Sequence, residues 1–318
     1  MILNQKKKIM SSIFIQIPSY HDFELPKTIL SATQNASQEN IINFGISNTT
    51  LNKNYIYIPK LNLHWSKINI YESIAPENIG LQKARKIANS FYDGEDYYLQ
   101  TDAHMRFEKD WDKKLIELIL MYKNNGFKKP LITCYPPAYE YNSFLVEEYG
   151  DLKNVNAISF LEDKSKFANT YVPSQLAISV DFECMYTPSV SGGFIFTIGE
   201  YANITPNEKI AFWGEEILIA ARAYTHGFDL LLPDQSYMWH LYYDHNKTIQ
   251  ENGRQHVWND FPNHWQTMQD ESQKELDRIF FNEIIGLEGL GLERSLKDYG
   301  QYAGLDFVNK KVTQCKWG

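Results

Sequence analysis

Asp102 and His104 are the residues of this 318-residue chain whose types and spacing best suit chemistry. They follow the apolar segment 97–99, which has the composition of a β-strand. Their i, i+2 spacing places both side chains on the same side of an extended backbone. A carboxylate and an imidazole together suit a divalent cation, so we predict a metal site at this strand end. The alternative is a capping aspartate beside a loop histidine.

His240 is a candidate for a third metal ligand. It lies in the aromatic segment 237–242, where a histidine taken alone is better explained as a buried side chain hydrogen-bonded to the backbone. It becomes a candidate because a site built on Asp102 and His104 lacks a third protein ligand. The oxygens of a diphosphate could supply much of the remaining coordination.

Two adjacent carboxylates, Glu215 and Glu216, follow Trp213 and Gly214 at the predicted start of a helix. Acidic residues in the first turn stabilise a helix through its dipole, and this explains them without any catalytic role. The same arrangement suits hydrogen bonds with sugar hydroxyls, with the indole ring of Trp213 as an apolar surface for a pyranose. Both interpretations stay open at this point.

Two further segments could contact a ligand. Gly192 and Gly193 precede a predicted strand and allow the backbone to approach a ligand closely, although a simple turn is the common explanation. Arg85 lies with two lysines near the start of a predicted helix, where the cations could meet a phosphate or form a solvated face.

The elements that position these residues alternate between strands and helices. Apolar, β-prone segments occur at residues 13–17, 41–46, 55–58, 97–99, 131–135, 194–197, 230–232 and 237–241, and helical periodicity occurs at residues 25–36, 81–92, 111–122 and 215–226. This alternation predicts an α/β fold with a mixed, mainly parallel sheet flanked by helices. Ligands bind at the carboxyl ends of the strands in such sheets, which is where Asp102 is predicted to lie.

The domain organisation follows from a change in composition near residue 245. We predict a catalytic domain over residues 1–245 and a mostly helical extension, residues 246–318, that packs on it. Residues 136–190 show little periodicity, and we predict a long loop region that faces the substrate.

Composition excludes several classes of function. The chain has 31 basic and 39 acidic residues and a net charge of −8, which disfavours a general electrostatic association with nucleic acid or anionic membranes. Since no run of about 18 apolar residues occurs, we expect no transmembrane segment. Cys134, Cys184 and Cys315 are an odd set without C-x-x-C spacing, so we expect a reducing compartment and a cytoplasmic location.

In order along the chain, these segments resemble those of glycosyltransferases of the GT-A (Rossmann-like) type. The polypeptide GalNAc-transferases show a similar series: a Gly-Leu…Ala-Arg helix, an Asp-x-His motif, a glycine pair, a Trp-Gly-Gly-Glu segment and a late histidine. A closer resemblance is to the cytoplasmic GlcNAc-transferases that modify hydroxyproline on a ubiquitin-ligase adaptor, and to their bacterial relatives. The matching segments are residues 14–22, 100–107, 111–112, 213–217, 225–230, 240–242, 292–299 and 304–307.

The resemblance implies retaining, metal-dependent transfer of GlcNAc from UDP-GlcNAc to a hydroxyl acceptor on a protein or glycan. It implies that Mn²⁺ (or Mg²⁺) binds to Asp102, His104 and His240. It assigns to the nucleotide sugar the residues Pro18, Ser19, Asp22, Arg85, Asp102, Gly192, Gly193 and Trp213. Pro18, Ser19 and Asp22 would line the uridine side, and Arg85 would lie near the phosphates or order the metal-binding carboxylate.

The carboxylate pair departs from the related pattern, because Glu215 replaces the second glycine of Trp-Gly-Gly-Glu. Glu216 stands three residues after Trp213, as the glutamate of that pattern does, so we favour Glu216 over Glu215 for contact with the donor sugar or the acceptor. Two other functions compete with transfer. A catalytically silent carbohydrate-binding protein would bind sugar without nucleotide or metal, and a metal-dependent nucleotide-sugar hydrolase would use water as the acceptor.

Overall fold

The structure is a computed structural model that describes residues 10–51, 65–160, 175–179, 185–242, 256–281 and 284–313. The strand predicted at residues 55–58 lies outside these ranges, as do Cys184 and Cys315. Cys134 is buried. None of the helices in the described ranges combines the length and the apolar composition needed to cross a membrane.

A seven-stranded sheet forms the centre of the molecule, in the order β12-β6-β11-β4-β1-β2-β3. The strands are β1 Ser12–Tyr20, β2 Ile41–Thr50, β3 Ser66–Ile74, β4 Tyr97–Thr101, β5 Met105–Phe107, β6 Pro130–Ile132, β7 Tyr139–Tyr141, β8 Glu147–Tyr149, β9 Asn156–Phe160, β10 Gln175–Ser179, β11 Phe194–Ile198, β12 Asp229–Leu231, β13 Met238–His240, β14 Leu305–Asp306 and β15 Lys311–Val312. Within the sheet only β11 runs antiparallel to its neighbours. The predicted mixed, mainly parallel α/β sheet is therefore confirmed.

Helices cover both faces of the sheet. They are α1 Leu25–Gln34, α2 Leu81–Asn89, α3 Trp111–Asn124, α4 Glu215–Thr225, α5 Val257–Asp260, α6 Pro262–Phe280 and α7 Leu296–Ala303, with a 3₁₀ helix at Gly199–Asn203. The apolar faces of α1 and α3 pack with one set of buried strand residues. On the other face, α4 packs with α6 and α7 in a second apolar core that also includes residues of β1, β4 and β11.

The packing of α2 on the sheet depends on Gly45 in β2. A Cβ atom at this position would overlap the ring of Phe14 and the carbonyl oxygen of Ala88 at the end of α2. Because glycine lets the helix approach closely, the side chain of Arg85 on α2 reaches beneath the carboxyl ends of β1 and β4.

The C-terminal residues share the second core with the sheet. Leu276 and Ile279 of α6 and Tyr299 of α7 are buried there beside Ile217 of α4. The predicted boundary between residues 245 and 246 falls outside the described ranges, so the division into a catalytic domain and an extension stays a prediction.

The region predicted as a long loop, residues 136–190, contains regular structure. β7 pairs with β8, and β9 pairs with β10, in two antiparallel ribbons. Ion pairs hold the β7–β8 ribbon in place: Arg106 contacts both Glu24 and Glu147, the first residue of β8. The sequence of this ribbon therefore shows no apolar periodicity. The segment around His240 also differs from the expected sheet strand, because β13 pairs with β5 outside the seven-stranded sheet.

Candidate active site

A cavity of about 540 Å³ lies at the carboxyl ends of β1 and β4. All of the site residues that the sequence predicts line it: Pro18, Ser19, Asp22, Arg85, Asp102, His104, Gly192, Gly193, Trp213, Glu215, Glu216 and His240. This location follows from the topology, since polar residues that end neighbouring parallel strands meet at one edge of the sheet.

Asp102, His104 and His240 form a cluster in this cavity. Their potential ligand atoms all lie within 4.8 Å of one another. Nε2 of His240 is 3.0 Å from Nε2 of His104 and 3.4 Å from Oδ2 of Asp102. The strand pairing explains the contact, because the β5–β13 register places His240 opposite Met105, the residue that follows His104.

Asp22 fixes the orientation of His104. Its Oδ2 atom lies 2.8 Å from Nδ1 of His104, and its Oδ1 atom accepts a hydrogen bond from the Glu24 N–H. A carboxylate at Nδ1 favours the tautomer that carries the proton there, which leaves the lone pair of Nε2 pointing toward His240. This is the usual arrangement around a metal-binding histidine.

Arg85 connects the cluster of Asp102, His104 and His240 with the helix that carries the two glutamates. Its guanidinium is buried and donates to Oδ1 of Asp102 over 3.1 Å and to Oε1 of Glu215 over 2.5 Å. It also donates to Gln16 and to the carbonyl oxygens of Thr101 and Gly192. Since all three nitrogens are engaged, the geometry favours the role of ordering the Asp102 carboxylate over direct contact with phosphate.

The charge state of Asp102 follows from these neighbours. Burial opposes its ionisation, but the hydrogen bond with His240 and the positive charge of Arg85 outweigh burial. They hold the pKa of this carboxyl well below its ordinary value. Asp102 is therefore an anion over the whole neutral range, as a metal ligand must be.

Glu215 and Glu216 occupy different environments, although they are adjacent. Glu215 is buried and accepts hydrogen bonds from Arg85 and Gln82. Glu216 is partly exposed to the cavity and accepts from the N–H of Gly192 over 2.8 Å and from the phenol of Tyr135 over 2.9 Å. Burial raises the pKa of Glu216 to about 7. Both carboxylates line the cavity, and Glu216 is the more exposed of the two.

The glycine pair gives the backbone room beside the cluster. Gly192 and Gly193 directly precede β11, whose start lies beside the end of β4. A Cβ atom at position 193 would lie 2.8 Å from Oδ2 of Asp102. Any side chain there would displace the carboxylate or fill the space next to it.

A group of aromatic side chains forms one wall of the cavity. Trp213 is 65% exposed, and Phe212 beside it is also exposed. Their rings pack near Trp265 of α6, and the ring of Trp258 of α5 contacts both Phe212 and Trp265. Exposed aromatic faces beside a polar cluster suit the stacking of a sugar ring or a base.

The end of β1 forms the side of the cavity that the resemblance assigns to uridine. The hydroxyl of Ser19 donates to Oδ1 of Asn48 on β2, and Pro18 lies before it. The phenol of Tyr20 donates to Asp260 at the end of α5 and connects this strand with the aromatic wall.

Sequence reasoning missed several cavity residues, of which Tyr135, Trp258 and Trp265 have the clearest contacts. Tyr135 ends the apolar segment 131–135, so the strand-end rule that selected Asp102 could have selected it too. The two tryptophans carry no comparable signal, because they reach the cavity only through the packing of α5 and α6.

A sequence model of the family described as glycosyltransferase (GlcNAc) matches residues 60–309. The chain belongs to this family. The family agrees with the resemblance to GlcNAc-transferases that the ordered motifs indicated. No curated protein sequence matches this member of the glycosyltransferase (GlcNAc) family.

Solved structures of other glycosyltransferases are similar to this family member at low identity. GalNAc-T7, in a crystal structure with UDP, GalNAc and Mn²⁺, is 14% identical, with a TM-score of 0.42 over 74% of this chain and 44% of that chain. The chain therefore spans less than half of the length of GalNAc-T7. S. aureus TarS 1-349 is 12% identical, with a TM-score of 0.45 over 95% of this chain and 71% of that chain. The same TarS fragment in complex with UDP-GlcNAc gives 11% identity and the same TM-score.

Proposed function

We propose that this chain transfers GlcNAc from UDP-GlcNAc to a hydroxyl group of a protein or glycan, with retention of the anomeric configuration. The transfer depends on Mn²⁺ or Mg²⁺ held by Asp102, His104 and His240. The observation that carries the proposal is the convergence of these three ligand atoms in a cavity at the carboxyl ends of the strands. Membership of the glycosyltransferase (GlcNAc) family supports the choice of sugar.

The donor set fits a divalent cation. One anionic carboxylate and two imidazole nitrogens supply three protein ligands, and Asp22 orients one of the imidazoles as carboxylates do around bound metals. When bound, the ion neutralises negative charge on a leaving diphosphate.

The charges of the cavity support metal dependence independently. Among the described residues that line it, Arg85 is the sole lysine or arginine, and its donors are already engaged by Asp102, Glu215 and backbone carbonyl oxygens. A diphosphate in this cavity therefore finds little cationic protein surface. Its charge requires a counter-ion, and the three-ligand cluster is the place for one.

Glu216 and the glycine pair act on the sugar side. Glu216 is fixed by Gly192 and Tyr135 and presents acceptor atoms that suit sugar or acceptor hydroxyls. Gly193 leaves room for the donor sugar to approach the backbone beside Asp102. Retention follows from attack of the acceptor hydroxyl on the same face of the sugar from which the diphosphate departs.

The donor preference and the stereochemistry are tested by one set of reactions. The protein is incubated with UDP-GlcNAc, UDP-GalNAc or UDP-glucose, with Mn²⁺ or with a chelator, and UDP release is measured. We expect release to be fastest from UDP-GlcNAc, to require the metal, and to give an α-configured first product by NMR. Release from none of the three donors, or equal release in chelator, contradicts the proposal.

Two variants make this test specific. Asp102→Asn keeps the size of the ligand but weakens metal binding, while Asp270→Asn changes an exposed aspartate on α6 and serves as the control.

Stimulation of UDP release by added acceptors separates transfer from the hydrolase alternative. A cytoplasmic location stays a prediction.

A further inference from the structure

Tyr135 holds the catalytic-site carboxylate of Glu216 from one side. Its phenol O–H donates to Oε2 of Glu216, while the N–H of Gly192 donates to Oε1. The two donors come from different segments of the chain, since Tyr135 lies after the end of β6 and Gly192 lies before the start of β11. Because both oxygens are held, the carboxylate cannot rotate about its last side-chain bond without losing a hydrogen bond.

The contact extends a continuous network that begins at the metal-binding cluster. Asp102 accepts from Arg85, and Arg85 donates to the carbonyl oxygen of Gly192 over 2.8 Å. The same glycine donates its N–H to Glu216, which accepts from Tyr135. The backbone of Gly192 is therefore held at both its N–H and its C=O. Tyr135 is the last member of this series of hydrogen bonds, which begins at Asp102.

We propose that Tyr135 is a positioning residue for Glu216: its phenol holds the carboxylate in one orientation, against the Gly192 N–H and facing the cavity. The inference rests on the proposed transfer reaction, in which Glu216 contacts a sugar or acceptor hydroxyl. Burial and the neighbouring Glu216 raise the pKa of the Tyr135 phenol well above its ordinary value. The phenol therefore stays protonated and acts as a donor to the carboxylate.

The groups that face Glu216 determine how the hydrogen bond from Tyr135 affects the protonation of this carboxylate. Glu215 lies beside it on α4, Asp102 follows β4, Tyr242 follows β13 and Tyr135 follows β6. Burial and the two carboxylates disfavour the ionised form of Glu216, whereas the hydrogen bond from Tyr135 favours it. Removing the phenol O–H therefore moves protonation of Glu216 to higher pH.

The kinetic test compares Tyr135→Phe with the wild type across pH. We expect kcat for UDP-GlcNAc turnover to fall about tenfold at neutral pH, and the acidic limb of the pH profile to move up by about 1 pH unit. Tyr299→Phe is the matched control, because it likewise removes a buried phenol O–H, which donates to the carbonyl oxygen of Pro188. A reduced kcat with an unmoved profile contradicts the positioning role.

The second test does not depend on activity. Unfolding by urea is measured for the wild type, Tyr135→Phe, Glu216→Gln and the double variant at pH 5 and pH 8. We expect Tyr135→Phe to cost more stability in the wild type than in Glu216→Gln at pH 8, where the carboxylate is ionised, and equal amounts at pH 5. The inference is overturned if Tyr135→Phe lowers the free energy of unfolding by the same amount in the wild type and in Glu216→Gln at both pH values. Absence of UDP release from every donor instead overturns the proposed function, and the cycle still decides whether Tyr135 and Glu216 are coupled.

Discussion

The Nε2 atoms of His104 and His240 lie 3.0 Å apart, although the two residues are 136 positions apart in the chain. Asp22 holds the Nδ1 side of His104, so its Nε2 lone pair faces the second imidazole. Two lone pairs at this distance repel each other unless a proton or a cation lies between them. The carboxylate of Asp102 beside them adds a third ligand atom, and the set is one that suits a divalent cation, in agreement with the proposed metal site.

The first prediction concerns the two histidines. His104→Ala and His240→Ala should each abolish Mn²⁺-dependent UDP release, because only two protein ligands remain and the ion dissociates more readily. UDP release and the melting temperature are measured on the same samples. His264→Ala, on the exposed side of α6, is the control and should keep full activity. Wild-type turnover in either ligand variant would contradict the metal site.

The second prediction concerns Asp22. Asp22→Asn preserves an acceptor for the Glu24 N–H but removes the negative charge at Nδ1 of His104. Loss of such an outer carboxylate typically lowers metal affinity by about 10- to 100-fold. Titration calorimetry with Mn²⁺ measures the change. Unchanged affinity would mean that His104 is oriented by its packing alone.

The third prediction separates the two glutamates. Glu216→Gln should lower kcat by about 10² to 10³, the usual cost of losing a positioned polar group in the reacting complex. The dipole of α4 accounts for only about 0.3 to 1 kcal/mol of stability at this position, so at pH 5, where the raised pKa keeps Glu216 largely protonated, the variant should unfold much as the wild type does. Steady-state kinetics and urea unfolding are measured together.

Glu215→Gln is the matched variant for the third prediction. It removes the charge that faces the buried guanidinium of Arg85, so we expect a marked loss of stability. The assignment of Glu216 to the site is wrong if Glu215→Gln abolishes transfer in a fully stable protein while Glu216→Gln transfers at the wild-type rate. Full activity in both variants would mean that the acids serve the helix alone.

The fourth prediction is a dependence of stability on pH. Burial raises the pKa of Glu216 from an ordinary value of 4.5 to about 7. A group whose pKa is raised on folding stabilises the protein fully below its unfolded-state pKa, and this contribution is lost as the pH rises through the folded value. Relative to Glu216→Gln, the wild type should therefore lose stability between about pH 4.5 and 7. Parallel pH curves of the two proteins would contradict the burial of an ionisable Glu216.

The site residues that the sequence predicted are those whose positions follow from their neighbours in the chain. Asp102 follows β4 directly, and Gly193 directly precedes β11, so the apolar segment next to each residue was enough to place it at the sheet edge. Glu215 and Glu216 are likewise given by the Trp-Gly turn before α4. These positions follow from the strand and helix pattern, without any knowledge of distant contacts.

The rest depends on tertiary pairing, which the pattern does not contain. His240 reaches His104 through the short β5–β13 ribbon outside the central sheet, whereas the sequence suggested an ordinary strand. The engagement of Asp22 with His104, and of Tyr135 with Glu216, joins residues more than 80 positions apart. Such contacts follow from how the elements pack. From the sequence, Asp22 was expected near the ligand, but its contact with His104 was not predicted and Tyr135 was not selected at all.

Titration calorimetry of the wild-type protein with UDP-GlcNAc, in Mn²⁺ and in a chelator, measures whether the donor binds through a metal ion. We expect binding in Mn²⁺ that UDP reproduces in large part, because the diphosphate meets the ion, and a strong loss of affinity in the chelator. His240→Ala should behave in Mn²⁺ as the wild type behaves in the chelator. Binding of GlcNAc that is independent of both uridine and Mn²⁺ would contradict metal-dependent binding of a nucleotide sugar and indicate a carbohydrate-binding protein.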